Sequence, residues 1–266
     1  MLELYHAAPS VCSVKVRVGL AEKKLQWQSK PIALDKGEQF SPSYLELNPN
    51  GVVPTLVNDG FVVTESSVIL EYIDQLCDKT QLMPADINEQ ATTKIWLFRC
   101  LDIHAAVNTV TFATVMRHKI LASSSLEEIE RSVAKMPSKN GAMKRLDIIQ
   151  NGLESMYVKN DLDTFKRLFT DMQRSLAANT WLINDVYTMA DTALIAYVDR
   201  LERLGFSGLW ENFADISRWL EQSKARSSYA EAVEDYINAN AKKAMRAGGE
   251  KAWPELKKQW DEHVND

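Results

Sequence analysis

The sequence predicts a small α/β unit followed by an all-α one. Three observations carry this reading: short apolar runs alternate with amphipathic stretches up to residue 77, strand-like patterning stops beyond about residue 86, and helix-spaced stripes then take over. Residues 2–5 read as a strand. Residues 13–24 read as a helix, with Val14, Val16, Val18 and Leu20 among its apolar positions, and residues 27–33 alternate like a second strand. Residues 53–57 and 61–63 are apolar runs joined across Asn58-Asp59-Gly60, a turn signal that makes them a hairpin. Helical spacing returns over 65–77 through Val68, Ile69, Tyr72, Ile73 and Leu76. The order βαβ then ββα implies a small mixed sheet with helices packed on it.

In the second half, Leu162, Phe165, Phe169, Met172 and Leu176 recur at three- and four-residue steps and form one helix stripe. Thr188-Met189-Ala190-Asp191 resembles a capping box that opens a helix through about Leu204. Phe213, Ile216, Trp219 and Leu220 suggest a further short helix. A linker is expected at about 79–87, where Pro84 and polar residues interrupt the periodicity. The mixed-charge stretch 122–161 reads as an inserted helical excursion, with Pro137 and Asn140-Gly141 as breaks. The tail from Ala239 mixes Lys/Arg with Asp/Glu, so a basic binding arm is not expected.

Composition removes several function classes. A hydrophobic fraction of 45% allows a sizeable core and argues against overall disorder. The 31 Lys/Arg against 36 Asp/Glu leave a net charge of −5, which offers no attraction for nucleic acid or an anionic membrane. No apolar run suggests a membrane span, and the N-terminus lacks the pattern of a secretory signal. Cys12, Cys77 and Cys100 are an odd set without CxxC or paired His spacing. A disulfide framework and a metal site are therefore not expected, and a reducing cytoplasm is.

The most informative segment is NPNGVVPTLVNDGFVVTES, residues 48–66. Val53-Pro54 stands directly before a strand, where a cis peptide would turn the Val53 backbone toward an extended peptide ligand. Glu65-Ser66 begins a helix, whose unpaired N–H groups and dipole favour a carboxylate. Together they describe a site for a short anionic peptide.

With TES leading into a helix, and TMAD opening another in an all-helical half, the chain resembles the glutathione S-transferase superfamily. The resemblance implies a thioredoxin-like α/β domain over 1–80 plus an all-α domain over 86–266, with the segment at about 122–161 inserted. It implies glutathione as cosubstrate. Val53 would pair with the cysteinyl backbone, Pro54 would be the cis proline, and Glu65 and Ser66 would hold the γ-glutamyl end. Gln39, in the loop before the second helix, would meet the glycyl carboxylate.

The attacking thiolate then belongs to the bound peptide, and the protein must stabilise it. A free thiol titrates near ~8.5, so a helix N-terminus and a hydroxyl donor are the means. Pro9-Ser10-Val11-Cys12-Ser13-Val14-Lys15 offers three candidates. Ser13 comes first, because Ser followed two positions later by Lys resembles the bacterial lignin β-etherases of this superfamily. Ser10 comes second, with Cys12 two residues on, as in the zeta class, and a redox role for Cys12 comes last.

The segment MLELYHAAPSVCSVKVRVGLAEK, the string VVTESSVILEY and the charged insertion also resemble those etherases. The resemblance implies thiolate displacement of a phenolate from an aromatic β-aryl ether, and a dimer of identical or related subunits. General conjugation of small electrophiles and a non-catalytic subunit remain the other readings. Phe112, Met116 and Tyr197 are candidates for the hydrophobic substrate site, since the helix at about 89–121 is expected to face the thiol. Beside these, Ser13 alone resembles an ordinary N-cap, and Thr188 with Asp191 reads as structural. His6 is placed at a site border, His104 and His118 among surface or packing residues, and Arg99 and Arg117 in solvent. Trp96, Trp181, Trp210 and Trp219 are expected in core packing.

Overall fold

The computed structural model describes residues 1–78 and 80–265. Lys79, in the expected linker, and Asp266, in the expected helical domain, lie outside them. The first unit consists of β1 (Leu2–His6), α1 (Val11–Glu22), β2 (Trp27–Pro31), α2 (Pro42–Leu47), β3 (Thr55–Asn58), β4 (Phe61–Val63) and α3 (Ser66–Gln75). The strands lie in the order β2-β1-β3-β4, with β1 parallel to β2 and antiparallel to β3, and β3 antiparallel to β4. Asp59 and Gly60 join the hairpin with φ of 48° and 86°, the left-handed pair that a two-residue loop of this kind needs.

Element ends differ from the sequence expectation for local reasons. Helix α1 starts at Val11 rather than at 13, because Ser10 caps it and accepts the Ser13 N–H at 3.3 Å. It stops at Glu22, before Lys24 with its left-handed φ of 51°. Strand β3 starts at Thr55 and not at 53, since Pro54 has no N–H for the ladder. Helix α3 is shorter than 65–77 at both ends.

From Ile87 onward the second unit is helical, and no strand occurs there among the described residues. It contains α4 (Ile87–Thr111), α5 (Arg117–Ser123), α6 (Leu126–Val133), α7 (Lys139–Asn151), α8 (Met156–Leu176), α9 (Met189–Arg203), α10 (Ala214–Lys224), α11 (Ser227–Tyr229) and α12 (Ala239–Asn265). A π-helical turn at Phe112–Met116 connects α4 to α5. The insertion is helical, but Asn140-Gly141 does not break it. Ser138 caps α7 and accepts the Gly141 N–H at 3.1 Å, so both residues sit in a helical first turn. Helix α8 opens at Met156, inside the stretch assigned to the insertion. The mixed-charge tail is the long helix α12, which buries Leu256 and Trp260.

One continuous core runs through both units. The stripe Leu162, Phe165, Phe169, Met172 and Leu176 is fully buried in it, as are Trp96, Trp210 and Trp219. Trp181 packs against it. The insertion adds a separate small cluster of Ile129, Val133 and Ile149. Among the described residues no helix is long and apolar enough to cross a membrane.

Two buried carboxylates register the units. Asp74 on α3 pairs with Lys23 at 2.9 Å and accepts the N–H groups of Leu82 and Met83 at 2.9 and 3.0 Å. Lys23 also donates to the carbonyls of Cys77 and Thr80. The expected linker is therefore tied down, and the Met189 N–H reaches the Leu82 carbonyl at 2.8 Å. Asp191 completes the capping box of α9, accepting Thr188 N–H at 2.9 Å, Leu182 N–H at 3.0 Å and the Trp219 indole N–H at 2.8 Å. Replacing it strands buried donors. Asp191→Ala should lower the unfolding free energy by on the order of 3–5 kcal/mol in urea titration, because each orphaned donor costs ~1–3 kcal/mol. An unchanged midpoint with an unchanged slope contradicts this.

Candidate active site

Helix α1 begins where the first unit meets α4 and α9 of the second. Its first turn carries Ser10, Cys12 and Ser13, and the three hydroxyl or thiol groups have different surroundings. Ser10 is half-buried, and its oxygen is occupied as an acceptor by the Ser13 N–H, so its O–H is the part left to donate. Ser13 is completely buried and accepts the Ala7 N–H at 3.3 Å, tying the β1–α1 loop to the helix. Cys12 is half-buried, its Sγ lying 3.4 Å from His104 Nδ1 on α4 and 4.0 Å from the Tyr197 hydroxyl on α9.

Burial alone would push the Cys12 thiol up. The His104 charge and hydrogen bond, the Lys15 ammonium and a hydrogen bond from Ser66 outweigh it and bring the thiol down to about 7. In return, the Cys12 charge raises His104 above its ordinary value, against burial and the charges of Lys15 and Arg200. Tyr197 is raised by burial and by the charges of Cys12 and Cys100, and stays a neutral phenol. Lys15 is fully buried one turn along α1 and donates to Ser67 Oγ at 2.6 Å, which donates onward to the Leu97 carbonyl at 3.1 Å. Arg200 donates to the Pro9 carbonyl and so holds the loop before Ser10 from the helical side.

The peptide-binding segment is braced from behind. The Val53-Pro54 bond is cis. Tyr44 and Asn48 donate to the Val52 carbonyl at 2.7 and 2.9 Å and also reach the Thr55 hydroxyl at 3.0 and 3.1 Å. Gly51, at φ 60°, lies so close to Phe40 that a Cβ there would stand 2.8 Å from its ring. Gln39 is in the short 3₁₀ turn Glu38–Phe40, and its side-chain oxygen is buried without a partner among the described residues. Glu65 holds a left-handed φ of 63°, a conformation that costs a non-glycine residue ~1–3 kcal/mol. No side chain caps α3 behind it, so the first-turn N–H groups at Ser66 remain free for an anion.

The structure therefore brings Ser10, Cys12, Ser13, Ser66 and Tyr197 to one neighbourhood. Phe112 and Met116 lie elsewhere on the α4–α5 helix. Phe112 is eight residues past His104, about 12 Å at the helical rise, and its ring is covered by the Arg145 guanidinium at 3.3 Å. His6 is not at the border of the site. Its two ring nitrogens are taken by Arg17 at 3.1 Å and Ser29 at 2.8 Å, and burial beside Arg17 pushes it down to about 4. Arg99 and Arg117 are not merely solvated either: Arg99 pairs with Asp171 at 3.0 Å, and Arg117 donates to the Ile149 carbonyl at 2.8 Å.

His104 is the residue that sequence reasoning missed. It stands 92 positions from Cys12, and nothing in its local pattern distinguishes it from a packing histidine. Lys15 was visible only as part of a motif. Iodoacetamide should alkylate Cys12 with a rate that rises through about pH 7. His104→Gln should move that midpoint toward ~8.5, the ordinary thiol value. A wild-type midpoint already at the ordinary value contradicts the pairing.

The description "Glutathione S-transferase, N-terminal domain" matches residues 9–76. Protein LigF of Sphingobium sp. strain NBRC 103272 / SYK-6 is 28% identical over 244 residues, covering 88% of this chain and 93% of the relative. The crystal structure of β-etherase LigF from Sphingobium sp. strain SYK-6 aligns with TM-score 0.78 at 27% identity, over 88% of this chain and 99% of that one. A zeta-class glutathione S-transferase of Euphorbia esula is 41% identical over 90 residues, 34% of this chain and 40% of the relative. With a mixed four-stranded sheet ahead of an all-helical unit, and this likeness along most of its length, the chain has the glutathione S-transferase fold, and residues 9–76 match that family's N-terminal domain.

Proposed function

We propose that the protein is a glutathione-dependent transferase that cleaves β-aryl ether bonds in aromatic compounds of the kind derived from lignin. The observation that carries this reading is the likeness to the β-etherase over 88% of the chain. In this reading residues 1–80 bind glutathione and residues 86–266 supply the aromatic site, with 122–161 as an insertion.

The extended peptide lies along the cis Val53-Pro54 segment and pairs with the Val53 backbone. Its γ-glutamyl end sits on Ser66 and the α3 N-terminus beside Glu65, and Gln39 takes the glycyl carboxylate. Glutathione thiolate attacks the carbon bearing the ether. A carbon–sulfur bond forms, the carbon–oxygen bond breaks, and the phenolate departs and takes up a proton. Tyr197, buried beside Cys12, is the aromatic-site candidate that packing brings nearest to the active-site helix. Phe112 and Met116 reach it only with the far end of an extended substrate.

Ser10 is our preferred donor to the glutathione sulfur. Its O–H is free and half-exposed, while Ser13 is enclosed and serves by holding the loop. Neither hydroxyl needs to ionise, since the attacking atom belongs to glutathione. We also assign a dimer, of identical or related subunits. Val68 on α3 and Ile95, Phe98 and Leu101 on α4 are all more than half exposed, and the Glu71–Lys94 pair at 3.8 Å sets the two helices side by side. Free thiols at Cys12, Cys77 and Cys100 suit a cytoplasmic setting.

Turnover of a β-aryl ether dimer in the presence of glutathione, set against a chlorinated nitroarene, tests the assignment. Faster ether cleavage supports it, and turnover of the nitroarene alone favours general conjugation, the reading that the 90-residue likeness to a zeta-class transferase suggests. No turnover, with no retention on immobilised glutathione, favours a non-catalytic subunit. Ser10→Ala should slow ether cleavage about tenfold to a hundredfold near neutral pH, as loss of ~1–3 kcal/mol of thiolate stabilisation implies, and the deficit should shrink at high pH. A greater loss in Ser13→Ala reverses the order of the two serines. Ser66→Ala should weaken glutathione binding by about 1.5–3 kcal/mol in calorimetry. Unchanged affinity in a folded variant removes Ser66 from the γ-glutamyl site.

A further inference from the structure

We propose that Arg145, on the inserted helix α7, determines substrate specificity by pairing with a carboxylate on the aromatic ring remote from the reacting carbon. The ethers this protein prefers are then aromatic acids, which rests on the ether-cleavage reading above and names the substrate class of the same site. Arg145 is an arginine that the fold half-buries and leaves without an acceptor.

The sequence holds twelve arginines. Every other one donates to a carbonyl or pairs with a carboxylate of this chain. Arg145 has no hydrogen bond and no ion pair among the described residues. Its guanidinium instead stacks on the Phe112 ring at 3.3 Å, and burial pushes its pKa down to about 10. A cation that gives up water without gaining an acceptor is costly, so the arrangement suits an anion brought from outside. The neighbouring acids are engaged elsewhere. Asp147, the one carboxylate of α7, accepts from Asn151 at 2.7 Å and Ser155 at 2.5 Å, and Asp161 on α8 pairs with Lys144 at 3.5 Å.

Helix α7 is anchored, so the guanidinium stands in a defined place. Ile148, three residues on and on the same helix face, is buried in the main core, and Ile149 joins the small cluster of the insertion. Arg117 ties down the end of the helix through the Ile149 carbonyl at 2.8 Å. The ring beneath Arg145 ends a ridge on α4 and its π-helical extension. His104, Asn108 and Phe112 recur there at four-residue steps, and all three are half-buried, whereas Ala106, Val107 and Val110 between them are buried. The ridge leads from the surroundings of Cys12 to Arg145. Its rise of about 12 Å keeps the guanidinium from the reacting carbon and suits a group at the far end of an extended substrate. A planar guanidinium held against an aromatic face keeps its N–H fork at the edge, the geometry that takes a carboxylate in two parallel hydrogen bonds.

The test uses the full-length protein, glutathione and two β-aryl ether dimers, alike except that the far ring carries a carboxylate in one and its methyl ester in the other. We expect KM for the acid to be about tenfold to a hundredfold below that for the ester, the worth of one charge-assisted pair, with similar kcat values. Added salt should narrow the gap. Arg145→Met, which keeps a long side chain over Phe112, should bring the two KM values together, and Arg145→Gln should do the same if the first variant does not fold. A merely structural role would shift both substrates alike. Equal KM values in the wild type, or a gap that persists in the folded variant, overturns the proposal. Calorimetry of both ethers with S-methylglutathione present reads the same preference without turnover. Tighter binding of the acid in a protein that cleaves neither ether keeps the pairing and removes the ether-cleavage reading, whereas equal binding, or none, overturns the pairing itself.

Discussion

Helix α1 is enclosed on every side, and the positions of both binding segments depend on that. Val11 and every residue from Ser13 to Leu20 are buried, including two cations. Val14, Val16, Val18 and Leu20 face core in more than one direction, which is why the helix has apolar residues at alternate positions rather than along one stripe. Gly19 makes the packing against α3 possible, since a Cβ there would stand 2.4 Å from the Leu70 side chain. Helix α9 lies against the same turn through Thr192. A helix gripped this way cannot shift its N-terminus, so the loop carrying Ser10 stays where the structure puts it.

The two buried cations are tolerated because each is hydrogen-bonded. Arg17 donates to the carbonyls of Ala7, Ala8 and Ala232 and to His6, and stacks on Tyr236 at 4.2 Å. An unpaired charge in that position would carry a large desolvation cost. Three of those bonds and the Arg200 donation to Pro9 lock the chain between β1 and α1 from opposite sides. Lys15 instead spends its hydrogen bond on Ser67 and its field on Cys12. The surroundings of Cys12 therefore favour an anion: His104, Lys15 and Ser66 all act on its thiol, in the first turn of α1 and beside the start of α3. Such preorganised charge stabilises a thiolate without reorganisation at the moment of reaction.

Registry between the units is a separate matter, and a polar one. Asp74 and Lys23 hold the segment after α3, Leu82 hands it to α9, and Asp191 ties α9 to the 182 loop and to α10 through Trp219. These contacts hold the segment that leads into α4, whose His104 acts on Cys12 only within hydrogen-bond reach.

Local signals were legible in the sequence. The Asn58-Asp59-Gly60 turn, the Thr188–Asp191 box, the succession of strands and helices up to residue 77 and the helix beginning at Glu65-Ser66 each depend on a few neighbouring residues whose backbone preferences suffice. The same reasoning placed Ser10, Cys12 and Ser13 together at one helix start. It misplaced that start by two residues, since Ser13 and Ser10 both resemble caps and only the hydrogen bond to Ser10 separates them. It read Asn140-Gly141 as a break because a capped first turn tolerates residues that a helix interior does not. Tertiary structure alone decided which serine is enclosed, that Phe112 lies under Arg145, and that His104 and Tyr197 meet Cys12 from 92 and 185 positions away. Propensity and periodicity act over a turn or two of chain, whereas a thiol's ionisation is set by whichever charges packing brings within a few ångströms.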